Sequence, residues 1–455
     1  MNKAPQLLLI GLLTTGISCT GWANTGSAPK SRLSPSDRTF THTLENGLKI
    51  VVREDHRAPV MVSQVWYRVG SSYEHAGLTG VSHVLEHMMF KGTPRVPNGE
   101  FSKLIANYGG SENAFTSYDY TGYYQVMSAV NLPLSLELEA DRMQNALMPD
   151  DEFAKEIEVV KEERRLRTDD KPGSIAYERF MAAAYLSSGY HNPVIGWMHD
   201  LDNMKGEDAR KWYKQWYVPN NAILVVVGDV KANEVFEQAA HYFGPIPKGN
   251  IPKRPLNKEV PANGERRLSV DIPAKIPNLY IGYNVPGINT ASDENDVYAL
   301  QMLAGVLDGG YSARMETELV RNQGIAASAG AGYSGLALGD TLFYFSAIPG
   351  KEYSIEELED AIQEQITRLQ EELADPDELE RIKAQIISGI VYQQDSISSQ
   401  ANQIGSMEAI GRSWQEADAM LEKLAAVTPE QIREVANKYL IPDNKVVAIL
   451  NPQPL

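Results

Sequence analysis

Residues 80–93 have the sequence GVSHVLEHMMFKGT, and this segment gives the strongest signal in the chain. It contains no proline and ends at a glycine, which predicts a helix between Gly80 and Gly92. His83 and His87 are four residues apart, so they lie one turn apart on the same face of that helix. Two imidazole nitrogens placed in this way can bind one metal ion.

Glu86 lies beside the two histidines in the same helix. Three residues after His83, its carboxylate projects toward the same centre, where it can accept a proton from water that a metal ion has activated. The pattern H-x-x-E-H is the reversed zinc-peptidase motif. The alternative interpretation is that these two histidines and the glutamate occur together by chance on a solvated helix face. A catalytic zinc site needs three protein ligands and an open position for water, so the third ligand must come from elsewhere in the chain.

The segment 80–93 resembles the active-site helix of the pitrilysin family of zinc metallopeptidases, which includes insulin-degrading enzyme and the mitochondrial processing peptidase. The third zinc ligand of that family is a Glu on a later helix, and Glu163 stands at the matching distance, 76 residues after His87. The resemblance therefore implies Glu163 as the third ligand, with Glu162 as the adjacent alternative. The competing interpretation places both on an exposed charged helix face.

Glu156 precedes Glu163 by seven residues, or two helical turns, and so lies on the same face. It matches a family Glu that supports the zinc site by orienting a ligand imidazole. Considered without the resemblance, Glu156 would be assigned to the surface.

Residues 110–117, GSENAFTS, are similar to the strand that forms the edge of the family's sheet beside the zinc ion. An exposed edge strand can bind an extended peptide as one more strand through backbone hydrogen bonds. The resemblance assigns Asn113 and Ala114 to substrate binding and Phe115 to a side-chain pocket. The alternative for Phe115 is a place in the hydrophobic core.

In family members that act without a partner, the second domain supplies an Arg and, seven residues later, a Tyr. Arg321 matches the Arg, but Ala327 and Ser328 occupy the positions where the Tyr is expected, and Tyr333 is not a simple substitute. The equivalent of the metal-binding helix, Val297 to Asp308, contains no His. The resemblance thus favours a zinc-bearing subunit whose related, metal-free partner supplies the Arg/Tyr pair. A homodimer is the simpler alternative.

The chain divides near its middle. Residues 245–264 contain five prolines among Lys, Asn and Gly, which predicts an extended linker. The two sides of this linker match at a shift of 223 positions, where the apolar stretches Ala222 to Val227 and Lys445 to Leu450 each follow a helical pattern and a Pro-containing turn. The match indicates an internal duplication.

We therefore expect two homologous α+β domains, each with a largely antiparallel sheet and helices packed on one face. The first, residues 38–244, carries the zinc site, and the second, residues 265–455, has no metal site. By resemblance to the processing peptidase, two such chains close as a clamshell around a chamber.

Local patterns locate several elements of the first domain. Asn46-Gly47 between two apolar runs predicts a β-hairpin, and Val60 to Val69 predicts a strand. Helical patterns occur around residues 77–92, 99–108, 131–147, 150–168 and 173–185.

The first residues have the pattern of a secretory signal. Lys3 precedes an apolar run from residue 7 to residue 17, and small residues follow at 21 and 23, which predicts a signal peptide at 1–23 and a spacer at 24–37. Cys19, the only cysteine, is a less favoured candidate for lipid attachment, because the residues before it lack the usual large aliphatic side chain. We expect export, to a bacterial periplasm, and no transmembrane helix.

The composition argues against a nucleic-acid-binding protein. Forty-two basic and 59 acidic residues among 455 give a net charge of −17, which opposes non-specific binding to nucleic acid. The favoured function is a zinc endopeptidase, with one zinc ion per chain, that hydrolyses extended peptides or unfolded polypeptides. The alternative is a non-catalytic, peptide-binding or chaperone-like structural member of the same family.

Overall fold

The computed structural model describes residues 36–253 and 258–454. The predicted signal peptide, Cys19 and most of the predicted spacer lie outside these described residues. Within them, every helix is too short or too polar to cross a bilayer.

The first sheet is built from the amino-terminal half of the chain. Its strands are β1 (Thr39–Thr43), β2 (Lys49–Glu54), β3 (Val60–Tyr67), β4 (Ser111–Thr116), β5 (Thr121–Ser128) and β6 (Ala222–Gly228). Their order is β1-β2-β6-β3-β5-β4, and neighbours are antiparallel except for the parallel pair β2 and β6. β1 and β2 form the predicted hairpin, with Gly47 at a φ of +90°. β6 is buried throughout, as expected for an apolar strand with neighbours on both sides.

The helices of this half are α1 (Val81–Met88), α2 (Glu100–Asn107), α3 (Leu132–Asn145), α4 (Asp150–Arg164), α5 (Pro172–Ala184), α6 (Met198–Asn203), α7 (Gly206–Trp216) and α8 (Ala232–Phe243). α1 to α5 match the five predicted helical segments, and α7 is the helical pattern expected before the strand at 222; α6 and α8 were not predicted. α4 continues into a π-helical turn, Arg165–Asp169. In α1, Val81, Val84, Leu85 and Met88 are buried in the first core, and this packing turns Glu86 and His87 to the other side of the helix.

The second sheet repeats this arrangement. Its strands are β7 (Arg266–Pro273), β8 (Asn278–Val285), β9 (Ala326–Tyr333), β10 (Thr341–Pro349) and β11 (Lys445–Gln453), in the order β7-β11-β8-β10-β9. This is the order of the first sheet without β1, and here the parallel pair is β7 with β11. The expected α+β architecture of two related sheets is therefore confirmed.

The helices of the second half are α9 (Glu294–Asp308), α10 (Ile355–Glu371), α11 (Pro376–Gln393), α12 (Ile397–Ala409), α13 (Glu416–Ala426) and α14 (Pro429–Tyr439). A π-helical segment, Met315–Asn322, precedes β9. With β8, β10 and β11, most of these helices enclose the second hydrophobic core.

The two halves exchange helices, which the sequence did not indicate. α12 crosses β3 and β6 on the face of the first sheet that its own helices leave open. In return, α5 crosses β7, β8 and β11 of the second sheet, where Phe180 stacks on Tyr280 at 5.8 Å. Each sheet therefore has a second, smaller core that contains a helix from the other half.

The predicted linker has no helix or strand in its described residues, 245–253 and 258–264. It is nevertheless anchored, because the Glu259 carboxylate accepts hydrogen bonds from the backbone N–H groups of Leu186, Ser187 and Ser188. Those residues directly follow α5, so the linker is tied to the helix that the first half contributes to the second sheet.

Candidate metal centre

The start of α1 is fixed by a buried carboxylate. Glu74 accepts hydrogen bonds from the backbone N–H groups of Gly80, at 2.6 Å, and Ser82, at 2.7 Å. Burial raises the pKa of Glu74 to about 8, although these two donors oppose the shift. Gly80 has a φ of +89°, and a Cβ atom there would lie 2.7 Å from the Ile195 carbonyl oxygen. A glycine is therefore required where the chain enters α1.

The end of α4 is held by the same neighbouring segment. Arg164 donates to the carbonyl oxygen of Gly196 at 2.8 Å and to the carboxylate of Glu178 at 2.7 Å. Gly196 also packs directly against Gly80. The helices that carry the predicted metal ligands, α1 and α4, are thus positioned by one segment of chain.

The structure brings His83, His87 and Glu163 together, with one ligand atom of each within 4.8 Å of the others. Glu163 Oε2 lies 3.5 Å from His87 Nε2 and 3.9 Å from His83 Nε2. Tetrahedral bonds of about 2.1 Å to zinc would place ligand atoms about 3.4 Å apart. Burial lowers the pKa of His83 to about 3, so its imidazole is neutral at pH 7, as a metal ligand must be. The donor set and its spacing fit a zinc ion.

Glu156 lies on the side of His87 that faces away from the predicted metal position. Its Oε1 atom accepts a hydrogen bond from His87 Nδ1 at 2.9 Å, and its other oxygen pairs with Lys91. The hydrogen bond from His87 lowers the pKa of Glu156, burial opposes this, and Lys91 adds to the lowering. An ionised carboxylate therefore keeps the proton on Nδ1 and leaves Nε2 available as a ligand.

Glu86 faces the same centre and is tied to the edge strand. Thr116, the last residue of β4, donates its hydroxyl hydrogen to Glu86 Oε2 at 2.5 Å. Burial raises the pKa of Glu86, and the bond from Thr116 opposes the shift. A carboxyl group with a raised pKa is suited to take and return a proton near neutral pH.

β4 is the edge strand of the first sheet. Asn113, Ala114 and Phe115 line a cavity of about 700 Å³ that also contains Glu86 and the three predicted ligands. Phe115 in addition packs edge-on against Trp66, with ring centroids 4.9 Å apart. It therefore belongs both to the cavity wall and to the packing beneath it.

Two other predicted residues lie outside this cluster. Glu162, the alternative ligand, is exposed and pairs with Arg165 at 3.0 Å. Arg321 lies on the π-helical segment, where its guanidinium stacks on the Tyr311 ring at 4.0 Å and donates to Thr317. None of the contacts that the described structure gives Arg321 reaches the cluster, so its role in substrate binding stays a prediction.

Sequence reasoning missed Arg167. This residue lies in the π-helical turn after α4 and pairs with Glu163 Oε1 at 2.5 Å. It also lines the cavity of about 700 Å³ that contains Glu86 and the three predicted ligands, which we call the metal cavity. The spacing of four residues between Glu163 and Arg167 was a signal that could have identified the pair.

Comparisons with known proteins agree with this geometry. The sequence profile of the family described as Insulinase (Peptidase family M16) matches residues 49–196. The profile described as Peptidase M16 inactive domain matches residues 203–386. The first match contains His83, His87 and Glu163, and the second covers much of the half in which no metal motif was predicted.

Individual relatives are named as proteases. The zinc protease PqqE of Helicobacter pylori is 38% identical over 293 residues, which span 63% of this chain and 65% of that protein. A protein of Bacillus subtilis named "Uncharacterized zinc protease YmxG" is 25% identical over 412 residues, 90% of this chain and 98% of its own length.

Solved structures show the same fold. A protease from Helicobacter pylori has a TM-score of 0.85 at 32% identity, covering 91% of this chain and 99% of that one. A peptidase M16 inactive domain from Pseudomonas fluorescens, at 16% identity, is similar in fold alone, with a TM-score of 0.82 over 91% of this chain and 98% of that one. The resemblance seen in the sequence is thus confirmed, and the chain belongs to peptidase family M16, the insulinase family.

Proposed function

We propose that this chain is a zinc-dependent endopeptidase that cuts extended peptides or unfolded polypeptides. One observation carries the proposal: His83, His87 and Glu163 converge on one point, and the Glu86 carboxylate faces it from the same helix. The names of the relatives support zinc and proteolysis.

Zinc bound by the three ligands would supply Lewis-acid activation of water and of the peptide carbonyl. Glu86 takes the proton of the attacking water and passes it to the leaving amine nitrogen. Thr116 holds the Glu86 carboxylate in place through its hydroxyl. Glu156 keeps the His87 ring in its ligating orientation.

The substrate is proposed to bind as an additional strand on β4. As the edge of the first sheet, β4 has one side on which the described part of the chain places no neighbouring strand, and its residues line the metal cavity. The backbone N–H group of Ala114 donates to the Asn113 side-chain oxygen and so points away from β5; backbone hydrogen bonds at this edge would hold the main chain of the peptide, whatever its side chains. Such binding favours extended or unfolded substrates.

We further propose that the active assembly contains two chains. Ala327 and Ser328 stand where the family resemblance expects a Tyr, and Tyr333 is engaged in the second domain, where its hydroxyl donates to the Pro286 carbonyl oxygen. A related, metal-free partner would supply the Arg/Tyr pair, and a homodimer is the alternative.

Export to a bacterial periplasm is part of this proposal and rests on the signal-like residues 1–23.

The same absence of a Tyr favours a second candidate function, peptide binding without cleavage. The test is hydrolysis of a quenched, unstructured peptide by zinc-loaded protein beside the Glu86→Gln variant. Cleavage by the wild type that is lost in the variant supports a peptidase that acts without a partner. If the wild-type protein is inactive alone but active with a co-purified related chain, the two-chain proposal is supported; if it binds peptide and never cuts, binding is the function.

A further inference from the structure

Among the described residues, Arg167 forms its ion pair with Glu163 through one side of the guanidinium group. Its Nη1 atom lies 2.5 Å from Glu163 Oε1, which leaves Glu163 Oε2 facing the two imidazoles. The side chain is nevertheless 69% exposed. A guanidinium has five N–H donors in a planar fork, so most of them remain directed at the surroundings.

Those surroundings are the wall between two cavities. Arg167, Thr168 and Val194 line the metal cavity and also an adjoining cleft of about 450 Å³. A peptide held on β4 can therefore direct a side chain or its terminus toward Arg167 while its main chain stays at the metal centre.

The charge in the metal cavity favours an anion at this place. Among the described residues that line it, Arg167 is the one with a permanently cationic side chain, and Glu86 and Glu163 are the carboxylates. When a divalent zinc ion is bound, its charge balances the two carboxylates. The cavity then keeps the positive charge of Arg167. Planar, bidentate binding of a carboxylate is the interaction for which guanidinium groups are best suited.

We propose that Arg167 binds a carboxylate of the substrate and so makes the peptidase selective for it. This inference rests on the proposed function, since it assigns a specificity to the same site. The carboxylate can come from an Asp or Glu side chain or from the carboxyl terminus of the peptide. Through Glu163, Arg167 also acts as a positioning residue for the metal ligand.

The test uses peptides that differ only in charge. One set carries a single Glu or Gln at each successive position around the cleaved bond, with an amidated carboxyl terminus. A second pair has no internal acid and differs only in a free or amidated terminus. The proteins are the wild type, Arg167→Gln, Arg167→Lys and Arg165→Gln, where Arg165 is a nearby exposed arginine that does not line the cavity.

We expect kcat/KM to favour Glu over Gln at one position, or the free terminus over the amide, by about five- to tenfold in the wild type. The preference should vanish in Arg167→Gln, persist in part in Arg167→Lys and be unchanged in Arg165→Gln. Each preference is the ratio of kcat/KM for two peptides on the same protein, so a difference in zinc content between variants does not affect it. An equal preference in Arg167→Gln and wild type, or no preference in the wild type, overturns the inference.

A binding measurement separates this inference from the proposed function. Fluorescence anisotropy of the same peptides with the Glu86→Gln protein gives the Glu/Gln ratio without turnover. We expect the ratio to fall when zinc is removed by a chelator, because the two carboxylates are then unbalanced and repel the anion. If no peptide is cut but the Glu/Gln binding ratio is as expected, the proposed function fails and the carboxylate site stands. If peptides are cut without charge preference, the proposed function stands and the carboxylate site fails.

Discussion

His87 Nδ1 lies 2.9 Å from Glu156 Oε1, while His87 Nε2 lies 3.5 Å from Glu163 Oε2. Glu156 therefore fixes the tautomer and ring orientation of His87. Glu163, on the same helix, lies against the other nitrogen of that ring. The seven-residue spacing on a single helix produces this relationship, because it places both side chains on the same face two turns apart.

Replacing Glu156 should weaken zinc binding more than it weakens the fold. Glu156→Ala removes the acceptor that orients His87, and the loss of such a partner typically costs about 10- to 100-fold in metal affinity. Zinc affinity is measured by competition with a chromogenic chelator, and folding by thermal unfolding of the metal-free protein. Glu158→Ala is the control, since Glu158 lies on the same helix but is exposed and paired with Lys161. Equal zinc affinity in the two variants would remove Glu156 from the site.

The contact between α12 and the first sheet should not tolerate one extra methyl group. A Cβ atom on Gly405 would lie 2.1 Å from the buried ring of Trp66. Gly405→Ala should therefore lower the free energy of unfolding by about 1–3 kcal/mol, as overpacking does, and shift the urea midpoint downward.

The same substitution at Gly389 is the matched control. Gly389 lies within α11, and a Cβ atom there would meet nothing within 4 Å. Gly389→Ala should raise the free energy of unfolding by about 0.5–1 kcal/mol, because Ala has the higher helix propensity. If Gly405→Ala is as stable as Gly389→Ala, α12 does not pack on Trp66 as the structure shows.

Acid should loosen the docking of α12 through Asp55. The buried Asp55 carboxylate accepts hydrogen bonds from Arg57 and from Gln400 of α12. Burial alone would raise its pKa, but the bonds from Arg57 and Gln400 outweigh burial and hold the pKa at about 2, against an ordinary 3.8. Since the folded pKa is the lower one, this stabilisation of about 2 kcal/mol is complete above about pH 4 and is lost as the pH falls toward 2.

The measurement is the difference in urea midpoint between wild type and Asp55→Asn at pH 5, 4 and 3. We expect the difference to shrink as the pH falls. Asp395→Asn serves as the control, since Asp395 also pairs with Arg57 but its side chain is 79% exposed, so its removal should have little effect at any of these values. A constant difference for Asp55→Asn would contradict the assignment.

Much of the first domain could be predicted because its signals are local. α1 follows from the run between Gly80 and Gly92, and the hairpin follows from Asn46-Gly47. The internal repeat was visible only where the shift of 223 holds, from α7 to β6 and from α14 to β11. In the sheets, Ile223 of β6 pairs with Lys49 of β2, and the equivalent residue of β11, Val446, pairs with Arg266 of β7. Lys49 and Arg266 are 217 positions apart, so β2 and β7 match at a shift of 217. Loops of different length therefore hid the rest of the repeat.

The exchange of α5 and α12 could not be predicted in this way. Ala401, Gly405 and Ala409 recur every four residues, which indicates that one face of α12 packs closely against something. Periodicity does not say which sheet that face covers. The Arg167 pair was missed for a similar reason, because charged residues at 162–170 are equally typical of a solvated helix face.

The proposed zinc peptidase activity is tested most directly by a zinc titration of metal-free protein, with peptide hydrolysis and bound metal measured at each step. Where a partner chain is needed, it is present throughout. We expect hydrolysis to rise with zinc and to saturate at one equivalent per chain, and Glu86→Gln to bind the same equivalent without hydrolysis. Hydrolysis by the metal-free protein, or undiminished hydrolysis by zinc-loaded Glu86→Gln, would contradict the proposal.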